Sequence, residues 1–392
     1  MSAPGVIVIG GYINGLGLVR SLAARGIPTA VITTKPYDIA QHSRLIAGHA
    51  AALDLDERPE SLLELLERRA SEWVGWALLP SNDEALAAMA RHHEQLSRSH
   101  CVIAPPQDVA EYFLDKGKML EMAQAVGVSL PRCYDASETD MRFPVLVKPV
   151  RGYRFTSRFG CKLLVARDRA ELDACLTRVA AAKMPCQVYD YIEGSDSNVY
   201  DYCVYVNAKG EPSAGLTLRK LRQSPPFYGV ARVAEVTTQM PELREATVEM
   251  LRRIGFRGIA EAEFKQDARD GSFRFLEING RSLLANALTR QAGMDLAWMA
   301  WCDFVEGRPE PPRLNGWPGV WVNLHADLAY STVYRHLNPI SLREFVAPYR
   351  RPVLEAVWSW RDPLPFVAQW ARFKEVGGRG RTAAAAPQLR GR

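Results

Sequence analysis

The sequence lacks any apolar run long enough to cross a membrane: no stretch of about eighteen apolar residues occurs in its 392 residues. The N-terminus has no basic segment followed by an apolar stretch, because the apolar run 6–9 is only of strand length. The seven cysteines are scattered, odd in number and never in metal-finger spacing, so we expect reduced thiols. These absences predict a cytoplasmic protein without a membrane partner.

An excess of charge of one sign is also missing from the body of the chain. The formal net charge is +5, but four arginines follow the last acidic residue, Glu375, and leave about +1 on the rest. No nucleic-acid partner is therefore expected, because such a partner needs a basic face on the folded protein. Residues 377–392 are mostly Gly, Ala and Arg without apolar periodicity, which predicts a disordered tail.

Two common nucleotide-binding motifs are absent. No Gly-rich loop ends in Gly-Lys-Ser/Thr, which excludes a P-loop. The run Gly10–Gly17 is a Gly-rich turn from a strand to a helix, but its glycines lack the dinucleotide spacing. Thr33–Lys35 also stand where a ribose-binding carboxylate would be needed, so nicotinamide or flavin binding is disfavoured. The turn is interpreted as tight packing or as a pocket for the carboxylate of a small substrate.

The patterns that are present predict α/β structure in the N-terminal region and α+β structure in the region that follows it. Apolar strands over 6–9, 28–33 and 76–80 alternate with helical segments, which indicates a doubly wound, Rossmann-like region of parallel strands. A helix over 115–126 then precedes shorter strands, some apolar and some alternating. Those strands are predicted over 144–149, 187–191, 201–206, 231–237 and 273–278.

The most informative segment is a predicted β-hairpin, in which the turn dipeptide Asp270-Gly271 separates two alternating segments. Because side chains on a strand repeat every two residues, Glu261 and Glu263 share one face of the first strand. Glu277, Asn279 and Arg281 share one face of the second.

If these two faces coincide, carboxylate and amide oxygens suited to Mg²⁺ converge beside a cation that can stabilise a phosphoryl group. The alternative is a solvated hairpin face, since Glu and Arg are common on exposed strands. Glu261 is interpreted as a surface carboxylate.

The paired segments 262–265 and 276–281 resemble the metal-binding hairpin of ATP-grasp ligases. The order of motifs over residues 5 to 305 resembles the carboxylate-amine ligase branch of that superfamily. In chain order, these motifs are the Gly-rich α/β region, Asp115-Lys116, Phe143–Pro149, Tyr189–Gly194 and the hairpin.

The resemblance implies a division of the chain into domains. A Rossmann-like (pre-ATP-grasp) domain is expected over 1–110, followed by an ATP-grasp domain with antiparallel sheets over 111–306. The two lobes of the latter are expected at 111–186 and 187–306, and residues 307–376 are interpreted as a C-terminal extension.

The same resemblance implies which residues contact ATP. Lys116 and Lys148 would contact the nucleotide as point-charge clamps for its phosphates. Asp190 and Ile192 would lie in the hinge whose backbone meets the adenine edge, and Asp196 would hold the ribose hydroxyls. Other interpretations stay open for the lysines: Lys148 as a strand-end lysine reaching water, and Lys116 as an ordinary lysine at a helix start.

For the metal and the chemistry, the resemblance assigns Glu263, Glu277 and Asn279 as ligands of Mg²⁺, which Mn²⁺ could replace. Arg281 is assigned the stabilisation of the acyl phosphate and of the tetrahedral species. ATP and Mg²⁺ are thus the expected cofactors.

Two basic segments are left with alternatives. The basic cluster at 218–222 would lie near the acceptor side of the cleft, where Arg219, Lys220 or Arg222 would bind an anionic substrate or phosphate. The alternative is a solvated basic turn. The loop 151–160 is bulkier and more basic than the small loop common in this superfamily. It either closes over phosphates or carries solvated charges.

The function implied is an ATP-dependent carboxylate-amine ligase that forms an amide bond through an acyl phosphate and releases ADP and phosphate. Amino acids or small peptide-like molecules are the expected substrates, and a homodimer is the default assembly. The alternative is a regulatory ATP-binding module that has lost turnover.

Overall fold

The computed structural model describes residues 4–52, 54–150, 155, 158, 159, 161, 163–333, 335, 336 and 338–371. The predicted tail at 377–392 and most of the loop 151–160 lie outside these residues. Within the described part, the chain forms three β-sheets with flanking helices, and no helix is long and apolar enough to span a membrane. All seven cysteines are free thiols, as predicted.

The first sheet is parallel, with strand order β3-β2-β1-β4-β5. Its strands are β1 (Val6–Ile9), β2 (Thr29–Thr33), β3 (Gly48–Ala51), β4 (Ala77–Pro80) and β5 (Cys101–Val102). Its helices are α1 (Ile13–Ala23), α2 (Ser61–Arg68), α3 (Ala70–Trp73), α4 (Asp83–Arg91), α5 (His93–Ser97) and α6 (Gln107–Leu114). The central strand β1 is fully buried, as a parallel strand covered on both faces requires. The predicted doubly wound region is confirmed.

The second sheet has four strands in the order β6-β9-β7-β8, and all of its pairings are antiparallel. Its elements are α7 (Lys116–Ala125), β6 (Cys133–Tyr134), β7 (Val145–Pro149), β8 (Leu164–Ala166), α8 (Arg169–Ala181) and β9 (Cys186–Asp190). Strand β7 buries its alternate residues 145, 147 and 149 against a small core. Lys148 therefore points to the opposite face of this sheet.

The third sheet has seven strands in the order β14-β13-β10-β11-β12-β15-β16. Its first part comprises β10 (Val199–Val206), β11 (Pro212–Ser224), β12 (Val230–Val236), α9 (Pro241–Arg253), β13 (Gly258–Gln266) and β14 (Phe273–Asn279). The hairpin β13–β14 turns where Gly271 has φ of +75°, a conformation that favours glycine. The predicted antiparallel character of this region is confirmed.

The C-terminal segment completes the third sheet. Its elements are α10 (Asn286–Gln291), α11 (Leu296–Phe304), β15 (Val320–Val322), α12 (Leu324–Ser331), α13 (Leu342–Val346), β16 (Val353–Glu355) and α14 (Leu364–Ala371). Strand β15 pairs with β12 and strand β16 with β15. The domain limits at residues 110, 186 and 306 stay predictions.

Candidate functional site

A cleft lies between the four-stranded and the seven-stranded sheets. Residues of β7 and the segment 190–192 line one side, and β10, β11, β13 and β14 line the other. Its volume, with the open mouth included, is about 1030 Å³, comparable with the sites that hold small molecules. Seven of the residues singled out in the sequence line this cleft: Lys116, Lys148, Asp190, Ile192, Lys220, Glu263 and Glu277.

Carboxylates form a row across three neighbouring strands on the cleft face of the seven-stranded sheet. Asp201 on β10 is directly opposite Glu263 on β13, and Glu263 is directly opposite Glu277 on β14. Like charges directly opposite one another destabilise a sheet, so the row needs cations. Among the described residues, no three His, Cys, Asp or Glu side chains are grouped as a ready-made metal site. The carboxylate oxygens of the row suit Mg²⁺, which takes few protein oxygens and completes its octahedron with water and phosphates.

Glu261 lies in the next row and is not a surface carboxylate, so that interpretation was wrong. It is directly opposite Asn279, whose Nδ2 donates to its Oε2 at 3.5 Å. Burial raises the pKa of Glu261 to about 7, and the neighbouring charges of Glu263 and Glu277 act in the same direction. The sheet alternation places it beside the proposed metal ligands.

The guanidinium of Arg281 is held by four acceptor atoms that belong to three residues. Its Nε donates to Asp83 Oδ1 at 2.6 Å, and its Nη2 lies 3.3 Å from Asp83 Oδ2. The Nη2 also donates to Asn279 Oδ1 at 3.2 Å, and the Nη1 donates to the carbonyl of Ser282 at 3.2 Å. The arginine thus bridges the hairpin and the first turn of α4 in the parallel sheet.

Lys148 is a buried cation on the opposite wall. Burial lowers its pKa, and the charge of the neighbouring Lys116 lowers it further. Within the described part of the chain, no carboxylate forms an ion pair with Lys148, and its Nζ lies 5.5 Å from the ring centre of Tyr189. Lys116 donates to the carbonyl of Pro149 at 3.1 Å. These two neighbouring ammonium groups suit a polyphosphate, which would compensate the otherwise costly buried charge of Lys148.

Lys265 is a lining residue to which the sequence reasoning gave no role. Its Nζ lies 4.9 Å from the ring centre of Tyr191, and burial lowers its pKa to about 8 although Asp196 and Asp267 act to raise it. The strand periodicity could have identified Lys265 as a lining residue, because it follows Glu263 by two residues and therefore shares its face.

The hinge segment is only partly as predicted. The amide of Asp190 donates to the carbonyl of Arg132, so this amide is already used. The Oδ2 of Asp190 accepts from Arg269 Nη2 at 3.0 Å, and its buried Oδ1 accepts from no described residue. Within the described residues, no acceptor takes the amide of Ile192, which lines the cleft. The geometry therefore favours Ile192 over Asp190 for an adenine contact.

Asp196 is not brought to the cleft lining. Its Oδ2 accepts from the amide of Gln223, and its Oδ1 accepts from Gln223 Nε2 and from the amide of Phe227. Both oxygens are thus used to hold the turn between β11 and β12. The geometry does not favour the predicted contact with ribose.

The three basic residues of 219–222 do not form one substrate patch or a solvated turn. They lie in the long strand β11, which the sequence reasoning missed, and a bulge near Leu221 disturbs its alternation. Arg219 pairs with Glu235 outside the lining, Lys220 reaches the cleft, and Arg222 pairs with the buried Asp327 at 2.6 Å. Of these three residues, Lys220 is the one whose position favours contact with a ligand in the cleft.

The Gly-rich turn after β1 serves internal packing. Gly10 has φ of +94°, and a Cβ there would lie 2.4 Å from Ser81 Oγ. The buried carboxylate of Asp38 accepts from the amides of Thr34 and Lys35 at 2.8 and 3.2 Å beside this turn. Of the two interpretations, the tight turn is favoured over a pocket for a substrate carboxylate.

A polyphosphate cleft between two antiparallel sheets, with a carboxylate hairpin on one wall, is the arrangement of the ATP-grasp fold. The family model described as "Carbamoyl-phosphate synthase L chain, ATP binding domain" matches residues 234–301, which include the hairpin. A curated relative, the D-aspartate ligase of Enterococcus faecium (strain Aus0004), is 24% identical over 326 residues, covering 77% of each chain.

Solved structures agree with this match. The L-amino acid ligase from Bacillus licheniformis has a TM-score of 0.58 at 16% identity, covering 79% of this chain and 78% of that one. The biotin carboxylase domain dimer of Hydrogenobacter thermophilus 2-oxoglutarate carboxylase, in complex with MgADP, ADP and bicarbonate, has a TM-score of 0.60 at 19% identity. The match covers 80% of this chain and 73% of the carboxylase chain. The chain therefore shares the ATP-grasp fold with these structures, and its residues 234–301 match the ATP-binding domain model.

Proposed function

We propose that this protein is an ATP-dependent carboxylate-amine ligase. A substrate carboxylate attacks the γ-phosphorus of ATP, ADP leaves, and an amine then displaces phosphate from the acyl phosphate to form an amide. The observation that carries this proposal is the opposition of two walls in one cleft. Lys148 supplies buried positive charge on one wall. On the other wall the pair Glu263–Glu277 supplies negative charge that needs a divalent cation, and Lys265 adds a buried cation beside it.

The lining residues have distinct tasks in this proposal. Lys116, Lys148 and Lys265 bind phosphates, and the amide of Ile192 contacts the adenine. Glu263, Glu277 and Asn279 hold Mg²⁺, which when bound offsets charge on the phosphate oxygens. Arg281 stabilises the oxyanion that forms when the amine attacks the acyl phosphate.

The relatives support amino-acid substrates. One is named a D-aspartate ligase and another an L-amino acid ligase, so we propose that the carboxylate belongs to an amino acid or a small peptide-like molecule. We also propose a cytoplasmic enzyme, because ATP is its cosubstrate. A homodimer is proposed by analogy with the carboxylase domain dimer.

The test is Mg²⁺-dependent release of ADP and phosphate across a panel of carboxylates and amines, singly and in pairs. The carboxylates include D-aspartate, L-amino acids and bicarbonate. Glu277→Gln removes one proposed metal ligand, and Glu249→Gln, on the exposed face of α9, is the matched control. Release that needs both substrates and is lost only in Glu277→Gln is expected. ATP binding without release for any pair would favour a regulatory module.

A further inference from the structure

Lys220 is inserted between two carboxylates of the row. It projects from β11, its ammonium contacts Glu263 Oε2, and it lies 3.5 Å from Asp201 Oδ1. The side chains of Lys220 and Asp201 are 6% and 5% exposed, and that of Glu263 is 17% exposed. All three therefore interact with little screening by water.

The ammonium occupies an oxygen that the proposed metal requires. Glu263 is directly opposite Glu277, the second proposed ligand, and within the described residues Lys220 is the cation that forms an ion pair with Glu263. A divalent ion bound to this carboxylate would repel an ammonium in contact with it. The two cations therefore compete for Glu263.

Asp201 offers the displaced ammonium another partner. Its buried Oδ1 already forms the 3.5 Å ion pair with Lys220 and, within the described part of the chain, accepts no hydrogen bond from another residue. A small rotation of the Lys220 side chain would strengthen the contact with Asp201 and release Glu263. The charge then stays paired, so the cost of an isolated buried cation is avoided.

We propose that Lys220 holds the Glu263 carboxylate in the metal-free protein and transfers to Asp201 when the metal-nucleotide complex binds. Lys220 and Asp201 are thus positioning residues that set the affinity of the site for the divalent ion. This inference rests on the metal site of the proposed function and adds a competition that the proposed function does not require.

The experiment is a titration of the full chain with Mn²⁺, with free Mn²⁺ measured by electron paramagnetic resonance, in the absence and presence of AMP-PNP. The variants are Lys220→Met, Asp201→Asn and their combination. Arg219→Met, one residue away on the same strand and paired with Glu235, is the matched control. Unfolding temperatures establish that each variant is folded.

Lys220→Met is expected to bind nucleotide-free Mn²⁺ about tenfold more tightly, because the competing ammonium is gone. Asp201→Asn is expected to bind it several-fold more weakly, because the displaced ammonium has lost its second partner. The effect of Asp201→Asn is expected to vanish in the Lys220→Met background, and Arg219→Met should match the wild type.

Weaker binding by Lys220→Met, or an equal effect of Asp201→Asn in both backgrounds, would overturn the competition. If Lys220→Met fails to fold, unchanged Mn²⁺ affinity in Asp201→Asn alone would overturn it. A wild-type protein that binds no Mn²⁺ even with AMP-PNP would instead reject the metal site of the proposed function.

Discussion

Asp83 and Arg281, 198 residues apart, form a two-contact ion pair that joins the first turn of α4 to the end of the β13–β14 hairpin. The backbone next to Asp83 is well fixed. Asn82 caps α4 by accepting from the amide of Ala85 at 2.8 Å, and its Nδ2 donates to Thr34 Oγ1 at 2.9 Å. The region of the parallel sheet thereby helps to orient an arginine that follows the β13–β14 hairpin.

Asp83→Asn is expected to lower kcat about tenfold while the KM for ATP changes little, because Arg281 loses its orienting partner. Stability should change by less than about 1 kcal/mol, since the Asp83 side chain is 55% exposed. Steady-state kinetics check this, with Glu84→Gln, whose partner is Lys35, as the control. An equal loss of kcat on adding Asp83→Asn to Arg281→Ala would show that Asp83 does not act through the arginine.

Lys148→Met is expected to weaken ATP binding by about 10- to 100-fold, because a buried cation that faces the phosphates is lost. Isothermal titration with AMP-PNP measures this. The exposed Lys118, which pairs with Glu111, provides the control variant Lys118→Met. Equal affinity of the two variants would remove Lys148 from the phosphate site.

Lys265 makes nucleotide affinity depend on pH. Its pKa, lowered by burial to about 8, means that the ammonium is largely charged at pH 7 and largely neutral at pH 9. Because phosphates bind the charged form, AMP-PNP affinity is expected to fall by up to about tenfold as pH rises across that range. Lys265→Met should bind more weakly at pH 7 and show a flatter profile. A profile identical in slope to the wild type would contradict the assignment.

Asp362 attaches the C-terminal segment to the parallel sheet. Its fully buried carboxylate accepts from Arg20 Nε at 3.0 Å, from Ser43 Oγ at 2.9 Å and from the amide of Arg44 at 3.0 Å. Asp362→Ala is expected to lower the free energy of unfolding by about 3 to 5 kcal/mol, because a buried arginine and two donors lose their partner.

Denaturant titration measures the effect of Asp362→Ala. Asp173→Ala, which breaks the exposed Arg169–Asp173 pair, should cost less than about 1 kcal/mol. Similar losses in both variants would mean that Asp362 does not anchor the segment.

Much of the fold could be predicted from local patterns in the sequence. The alternation in β13 and β14 and the turn at Gly271 were enough to predict a hairpin with Glu263 on one face of its first strand and Glu277 on one face of its second, because strand periodicity acts over a few residues. The structure adds the register, in which Glu263 lies opposite Glu277. Strand β11 was not predicted, because a bulge near Leu221 breaks its alternation and its charges suggest a turn.

Long-range partners could not be read from the sequence. The pairing of Arg281 with Asp83 depends on how two sheets pack, and no local pattern encodes it. The same holds for Asp196, whose oxygens are filled by Gln223 and Phe227 of a neighbouring turn. A motif assigned Asp196 to a ribose, but the packing of the turn decides which donors reach it.

The central claim is that a substrate carboxylate takes up the γ-phosphoryl group of ATP before the amine attacks. The most direct measurement uses an amino acid substrate with ¹⁸O in its carboxylate and follows the label by mass spectrometry of the products. The account predicts one ¹⁸O atom in the released phosphate, none in the nucleotide, and loss of this transfer in Glu277→Gln. Phosphate that carries no ¹⁸O while amide accumulates, or label that appears in AMP, would contradict an acyl-phosphate ligase.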